Sequence, residues 1–240
     1  METHRNEKYF VSFNSTLFYK MGRVALGQYL YNLISYIKLN ASSLLLISFS
    51  VPSQLAFFNV GKTMAGALTR LVPNAVNTII YPEMANLTDS KNALKLLTRS
   101  YRVTLVLLCI SALPVLLTSK VLIIMLYGET FIQAYLPLNI TLISFVLHRA
   151  CLIFGSYLSS CGRTSLLSIL MIPGLVVQIF VFIFYYSDAG AYGASVSLLY
   201  GVVTTHIVIL IYFLAFEGCK VKQFVPIYSD FISLLVEFKK

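Results

Sequence analysis

Charged residues are scarce in this sequence. Only 11% of its 240 residues are Asp, Glu, Lys or Arg, whereas 58% are hydrophobic and the mean hydropathy is +0.81. A soluble globular domain carries about 25% charged residues, so this chain has too few of them to cover a soluble core. The composition therefore predicts a polytopic membrane protein of the all-α class.

Cysteine and the residues of catalytic and metal sites are scarce as well. The four cysteines stand at positions 109, 151, 161 and 219, without the spacing of a metal site. The chain also has no glycine-rich phosphate loop and no nucleophile–base pair. We therefore expect no catalytic residue, no metal and no cofactor, and a protein that is not an enzyme.

Long apolar runs, in contrast, are abundant. A run of about 20 residues can cross a hydrocarbon core of about 30 Å. Six runs predict six transmembrane helices, at 24–48, 54–80, 103–127, 134–160, 165–186 and 191–216. A polar, helix-forming loop, PEMANLTDSKNALKLLTRSYR, precedes the third run. Pro114 interrupts that run, which predicts a span that ends in a short, separate interfacial helix, VLIIMLYG.

The distribution of positive charge predicts the orientation. Thirteen Lys and Arg residues fall in the N-terminal segment, in the loops after the second and fourth spans and in the tail, whereas the opposite loops hold only Lys120. Because cytoplasmic loops are enriched in Lys and Arg, both termini are predicted to be cytoplasmic. The chain then divides into an N-terminal segment (1–22), a six-helix transmembrane lobe (23–216) and a tail (217–240). We expect the tail to lie on membrane lipids, and we expect no nucleic acid partner.

Four basic residues remain inside the predicted spans: Lys38, Lys62, Arg70 and Arg149. Exposing such a charge to lipid costs roughly 2.5–3.5 kcal/mol near the bilayer centre, and no span contains an acidic residue to pair with it. Polar residues recur beside these cations at spacings of three and four, which places them on single helical faces. The polar faces predict a water-filled cavity that receives an anion. The candidate substrate-binding residues are Arg70, Arg149, Lys38, His148, Asn74 and Asn77.

Other polar and small residues within the spans have purely structural interpretations. Lys62 lies near the end of its span, where its ammonium can reach the interface. A histidine within an apolar run, such as His206, is typical of a packing residue with satisfied hydrogen bonds. Small residues such as Gly155 and Ser159 permit close helix packing.

Several segments resemble one family of membrane proteins. They are LAFFNVGKTMAGALTRLVPNAVNTIIYPEMANL, VLIIMLYGETFIQAYLPLNI, FGSYLSSCGRTSLLSIL and GAYGASVSLLYG. Their features are a helix that ends in a Tyr-Pro step, an apolar-Gly turn, a Gly-Arg turn and a glycine- and alanine-rich helix entry. In this order, from about residue 22 to 216, they resemble the Wzx-type polysaccharide flippases of the multidrug/oligosaccharidyl-lipid/polysaccharide exporter superfamily.

The resemblance implies a fold and a function. Members of this superfamily, similar to MATE exporters, have twelve or more helices in two lobes. The flippases move undecaprenyl-diphosphate-linked oligosaccharides across the bacterial inner membrane by alternating access, for O-antigen, lipopolysaccharide or capsule synthesis. With six spans this chain resembles the C-terminal lobe alone, so we expect a partial or truncated transporter, or one that acts with a second lobe or as a homo-oligomer.

Three other functions stay open at this point. A small-molecule or lipid exporter of the same fold would favour carboxylates in its cavity to bind cations, and the spans contain none. A membrane enzyme such as a polymerase needs catalytic groups at a surface, yet the loops opposite the cytoplasm offer only Lys120, Glu129 and Asp188. A scaffold subunit without transport activity is compatible with a single lobe.

Overall fold

The computed structural model describes residues 15–87 and 90–225, and the regular elements in these ranges are helices. Six of them are long: α1 (Ser15–Phe49), α2 (Pro52–Asn86), α3 (Ser90–Tyr127), α4 (Tyr135–Ser160), α5 (Thr164–Val181) and α6 (Gly190–Phe216). Short 3₁₀ helices at Glu129–Ala134, Ser187–Ala189 and Val221–Gln223, and a π-helical turn at Phe182–Tyr186, join or follow them. The described ranges contain no strand, and the predicted all-α class with six helices is confirmed.

Among the described residues, five of the six long helices are long and apolar enough to cross a membrane. These segments are Met21–Phe49, Lys91–Tyr127, Glu129–Ser160, Thr164–Phe184 and Gly190–Phe216. Helix α2 does not meet the same criterion of hydropathy. Its 35 residues extend about 52 Å, but Lys62, Arg70 and several Asn and Thr residues make it more polar. The chain is thus a multi-pass membrane protein in which one long helix carries a strongly polar face.

Helix α3 corrects one detail of the sequence analysis. It continues through Pro114 to Tyr127, so the separate interfacial helix predicted at 121–128 is wrong. Proline is tolerated inside membrane helices, and α3 runs through Pro114 without a break. Because α2 ends at Asn86 and α3 begins at Ser90, most of the predicted helix-forming loop belongs to these two helices.

Helix α4 lies at the centre of the bundle and packs against α2, α3 and α6, while α5 packs against α6 and α1. Glycines permit two of the close approaches. A Cβ atom on Gly61 of α2 would lie 2.7 Å from the Leu138 nitrogen of α4, and one on Gly201 of α6 would lie 2.6 Å from Gln178 Cβ of α5. Both distances are shorter than a side chain allows, so these two helix contacts require glycine.

The first part of the predicted tail packs back onto the bundle. Arg102 Nη1 on α3 donates to the Gln223 carbonyl at 2.7 Å. The Phe224 ring lies 5.8 Å from the rings of both Tyr101 and Phe154. The rest of the tail, 226–240, and the N-terminal residues 1–14 lie outside the described residues, and so do the predictions made for them.

Candidate functional site

A groove of about 1000 Å³ lies between α1, α2 and α4 at one end of the bundle. It is lined by Met21, Val24, Ala25, Gln28, Tyr31, Asn74, Thr78, Tyr81, Leu152, Gly155, Ser156, Ser159 and Thr164. These residues belong to the first half of α1, the last third of α2, the end of α4 and the start of α5. All four regions lie at the end of the bundle that the charge distribution predicts to be cytoplasmic.

The groove exists because α1 and α2 rest on different partners. At the groove end, α1 packs closely against α5. A Cβ atom on Gly27 of α1 would lie only 2.8 Å from Ser165 Oγ of α5, so the close contact depends on the glycine. The Thr164 hydroxyl at the start of α5 also donates to the Val24 carbonyl at 3.3 Å. Helix α2 instead packs along α4. The two helices therefore diverge towards the groove end.

At the opposite end, polar side chains join α1 to α2. Lys62 Nζ on α2 donates to Asn40 Oδ1 at 2.8 Å and to Ser43 Oγ at 3.2 Å, both on α1. Ser43 Oγ in turn donates to Asn59 Oδ1 at 3.2 Å. The Lys62 ammonium is thus bound by protein oxygens from α1, a role that the sequence analysis did not foresee.

The groove lining is mixed in polarity. Side chains that carry hydrogen-bonding groups come from each of the three helices: Gln28, Tyr31, Asn74, Thr78, Ser156 and Ser159. Asn74, predicted as a site residue, is in this lining, whereas the side chain of Asn77 lies outside the described residues. Gln28, Tyr31 and Ser159 belong to the polar faces seen in the sequence, so their helical spacing was the signal that could have added them to the predicted site.

Arg70 and Arg149 are not in the groove lining, but each stands one helical turn from a lining residue, Asn74 on α2 and Leu152 on α4. Arg70 is exposed and Arg149 is half-buried. They are close enough for their positive charges to repel each other, and Arg149 is also within electrostatic range of Tyr31. The buried Nε of Arg149 has no hydrogen-bond partner among the described residues. Two neighbouring guanidinium groups with donors to spare form a site that attracts an anion.

Lys38 and His148 lie behind the groove rather than in its lining. The Lys38 side chain is 0% exposed, and its ammonium donates to the Thr205 hydroxyl of α6. Both residues line a second, much smaller cavity that shares Tyr31 and Leu152 with the groove. Of the predicted site residues, Asn74 is in the groove lining, Arg70 and Arg149 neighbour each other outside the lining, and Lys38 and His148 lie in the bundle interior.

His206 is a packing residue, as its surroundings in the sequence indicated. Its Nε2 forms a hydrogen bond of 2.7 Å with Tyr101 Oη, and its Nδ1 forms one of 2.9 Å with Cys151 Sγ. Both ring nitrogens are therefore satisfied between α3, α4 and α6. Within the part of the chain that the structure describes, no group of three or more His, Cys, Asp or Glu side chains could hold a metal ion.

An ion pair joins the α4–α5 turn to the end of α6. Arg163, in that turn, donates from Nη1 to Oε1 of Glu217, the residue that follows α6, at 2.9 Å. The hydroxyls of Tyr157 and Tyr212 also donate to this carboxylate, each at 3.2 Å. The charge of Glu217 raises the pKa of Arg163 above its ordinary value. Glu217 thus fixes the α4–α5 turn to the end of α6.

Two comparisons with known proteins, one with a family model and one with solved structures, each give a match. A family model described as "Polysaccharide biosynthesis protein" matches residues 3–136, more than half of the chain. Among solved structures, the chain is similar to one titled "Outward-facing conformation of a multidrug resistance MATE family transporter of the MOP superfamily". The TM-score is 0.65 at 18% identity, over 88% of this chain and 49% of that one. The chain therefore spans about half the length of that transporter and shares its fold. No curated protein matches the chain significantly.

Proposed function

Because the chain belongs to the polysaccharide biosynthesis protein family and has the fold of about half a MATE transporter, we propose that it is one lobe of a polysaccharide-precursor flippase. In this proposal the complete transporter moves undecaprenyl-diphosphate-linked oligosaccharides across the bacterial inner membrane by alternating access. The observation that carries the proposal is the pair of neighbouring guanidinium groups, Arg70 and Arg149, each one helical turn from the lining of a large groove in which the described residues include no acidic side chain.

The charge of the groove suits a diphosphate. A phosphate group that leaves water for a membrane interior loses its solvation, which is costly unless protein groups replace it. Opposite charges also attract more strongly in such surroundings than in water. The planar guanidinium of Arg70 or Arg149 can hold two phosphate oxygens at once, whereas Lys acts as a point charge. An anionic substrate would also relieve the repulsion between the two arginines.

The volume and lining of the groove suit the rest of such a substrate. A space of about 1000 Å³ is at the upper end of the range for small-molecule pockets, and it represents one lobe only. Amide and hydroxyl groups of Gln28, Asn74 and Ser159 can hydrogen-bond to sugar hydroxyls, while Met21 and Val24 offer an apolar wall. The groove lies at the end predicted to be cytoplasmic, which is where a flippase would load its substrate.

Helix α2 indicates where a second lobe belongs. Asn59, Thr63, Arg70 and Asn74 are exposed along it, and a polar helix face of this length is unfavourable against lipid. A second six-helix lobe, either another chain or a second copy, would enclose this face in a central aqueous cavity. In this arrangement the membrane contacts the apolar outer surfaces of α3 and α5.

A crosslinking experiment tests the proposed substrate. The full chain is placed in lipid vesicles with a photoreactive undecaprenyl-diphosphate-linked saccharide, and crosslinked peptides are mapped by mass spectrometry. We expect labelling of 21–31, 74–81 and 152–159, with competition by the unlabelled compound. Labelling confined to lipid-facing residues such as Leu117 and Met125 of α3, both exposed, would contradict the proposal.

A further inference from the structure

The buried ammonium of Lys38 needs an explanation that the transport proposal does not supply. The residue stands near the middle of α1 and is 0% exposed, so its charge is removed from water as well as from lipid. An unpaired charge in such a place is strongly unfavourable. The surrounding groups decide how the charge is compensated.

Few of the protons of this ammonium are satisfied by the protein. A lysine ammonium has three N–H donors, and here one of them is bound by Thr205 Oγ1. The Thr205 hydroxyl donates its own proton to the Gly201 carbonyl at 3.0 Å, so it acts only as an acceptor towards Lys38. Gln178, the nearby amide, donates to the Lys38 carbonyl and to Ser42 Oγ rather than accepting from the ammonium.

Among the described residues, no carboxylate lies beside Lys38 to neutralise it. The sequences of α1, α3, α4, α5 and α6 contain neither Asp nor Glu, and Glu83, in α2, stands in the last turn of its helix. The ionisable side chains within electrostatic range of Lys38 are the Cys151 thiol and the buried His148 imidazole. His148 is also within range of the Arg149 guanidinium, and Arg149 is within range of Arg70. This part of the bundle therefore has an excess of positive charge.

A small cavity adjoins the ammonium. The centre of a water-sized particle can occupy about 10 Å³ within it, so the cavity has room for one water molecule or one small ion. Four side chains that can donate hydrogen bonds reach it from α1 and α4: Tyr31, Lys38, His148 and Cys151. The remaining wall is mostly apolar and includes Leu167, Met171 and Val202. The cavity is far too small for a phosphate group or a sugar.

We propose that this cavity is a binding site for a single small monovalent anion of the halide class, with chloride as the occupant in the cell. A halide accepts hydrogen bonds from every side and carries the negative charge that Lys38 lacks. A water molecule could hydrogen-bond to the same side chains, but it would bring no charge and would leave the ammonium of Lys38 without a counter-ion. The bound anion would connect α1 to α4 and, through Thr205, to α6.

This role is separate from substrate transport. The anion would stabilise the bundle behind the groove and hold the charge of Lys38, while Arg70 and Arg149 remain available to the substrate. A failure of the flippase proposal would leave this site unaffected, because its test measures stability rather than transport.

The test compares salts with the full chain in detergent. Thermal unfolding is followed by circular dichroism in sodium chloride and in sodium gluconate, each at about 0.15 M and the same pH. We expect a melting temperature about 2–4 °C higher in chloride, a saturable dependence on its concentration, and replacement by bromide. In Lys38→Met the difference between the salts should vanish. In Lys62→Met, the matched change at a lysine whose ammonium is bound by Asn40 and Ser43, the difference should persist.

Equal melting temperatures of the unsubstituted protein in both salts would overturn the proposal and would indicate a neutral Lys38 amine. An undiminished chloride effect in Lys38→Met would overturn it too. If Lys38→Met does not fold, the decision rests on chloride-35 NMR of the unsubstituted protein. Line broadening that bromide reverses is expected, and its absence would reject the site.

Discussion

Lys62 Nζ on α2 lies 2.8 Å from Asn40 Oδ1 on α1, and this hydrogen bond joins the two helices at the end opposite the groove. The same ammonium reaches Ser43 Oγ at 3.2 Å. Helix α1 packs against α5 and helix α2 packs against α4. The hydrogen bonds of Lys62 therefore join the two helices that form opposite walls of the groove. The shape of the candidate site therefore depends on a residue that does not line it.

Replacing Lys62 with Met should lower the stability of the chain. The substitution keeps the length of the side chain but leaves Asn40 without its charged partner, and hydrogen bonds to charged groups contribute about 1.5–3 kcal/mol. Because Lys62 is only partly buried, we expect a loss of about 1 kcal/mol in thermal unfolding followed by circular dichroism. The neighbouring exposed Thr63→Val serves as the control. If both variants melt like the unsubstituted protein, the junction contributes nothing to stability.

The contact between α5 and α6 should not tolerate a methyl group at Gly174. A Cβ atom there would overlap Thr205 Oγ1 and the Gly201 carbonyl, and overpacking of this kind costs about 1–3 kcal/mol. Gly174→Ala is therefore expected to lower the melting temperature. Gly22→Ala is the matched control, because a Cβ atom on Gly22 of α1 meets nothing within 4 Å, and it should be neutral or stabilising. Equal melting temperatures for the two variants would show that the helices separate easily.

Much of the fold could be predicted from the sequence, because hydropathy and the spacing of polar residues depend on local chemistry. The six helices follow from the apolar runs, and the polar face of α2 follows from the three- and four-residue spacing around Arg70. The break predicted at Pro114 is wrong, since proline usually ends a helix in a soluble protein but is tolerated in a membrane helix. The position of Lys38 could not be foreseen, because its spacing with Tyr31 and Ser42 indicates a shared face but not which neighbouring helices cover it.

For the candidate site too, spacing along the sequence predicts which residues share a helix face but not which helices pack against that face. Spacing placed Arg70 and Asn74 on one face, and in the structure Asn74 lines the groove whereas Arg70, one turn away on α2, does not. The proximity of Arg70 to Arg149 depends on how α2 packs against α4. That packing is decided by tertiary contacts at positions such as Gly61, which no local pattern reveals.

The Arg163–Glu217 ion pair should contribute modestly to stability. The Arg163 side chain is 57% exposed and that of Glu217 is 13% exposed, and exposed pairs typically contribute about 0.2–1 kcal/mol. A double-mutant cycle with Arg163→Gln and Glu217→Gln, measured by thermal unfolding, should give a coupling energy in this range. Glu217→Leu should cost more than Glu217→Gln, since it also removes the acceptor for Tyr157 and Tyr212. A coupling energy of zero would mean that Glu217 acts through the tyrosines alone.

Cys161 offers a test of the predicted orientation. It is exposed in the turn between α4 and α5, which the charge distribution places in the cytoplasm, whereas Cys151 and Cys219 are buried. A membrane-impermeant maleimide should label Cys161 in inverted vesicles and leave it unlabelled in right-side-out vesicles. The Cys161→Ser variant identifies any signal from the exposed Cys109 within α3. Labelling in right-side-out vesicles alone would reverse the predicted topology.

The most direct test of the central claim is a binding measurement on the full chain in detergent. The affinity for an undecaprenyl-diphosphate-linked saccharide is compared with that for uncharged undecaprenol, in the unsubstituted protein and in Arg70→Gln/Arg149→Gln. We predict a clear preference for the diphosphate compound and at least a tenfold loss in the double variant, equivalent to about 1.4 kcal/mol. The Arg→Lys pair should be intermediate, and Arg99→Gln on α3, away from the groove lining, should have no effect. Equal affinity of the double variant and the unsubstituted protein for the diphosphate compound would contradict the claim that these arginines receive an anionic substrate.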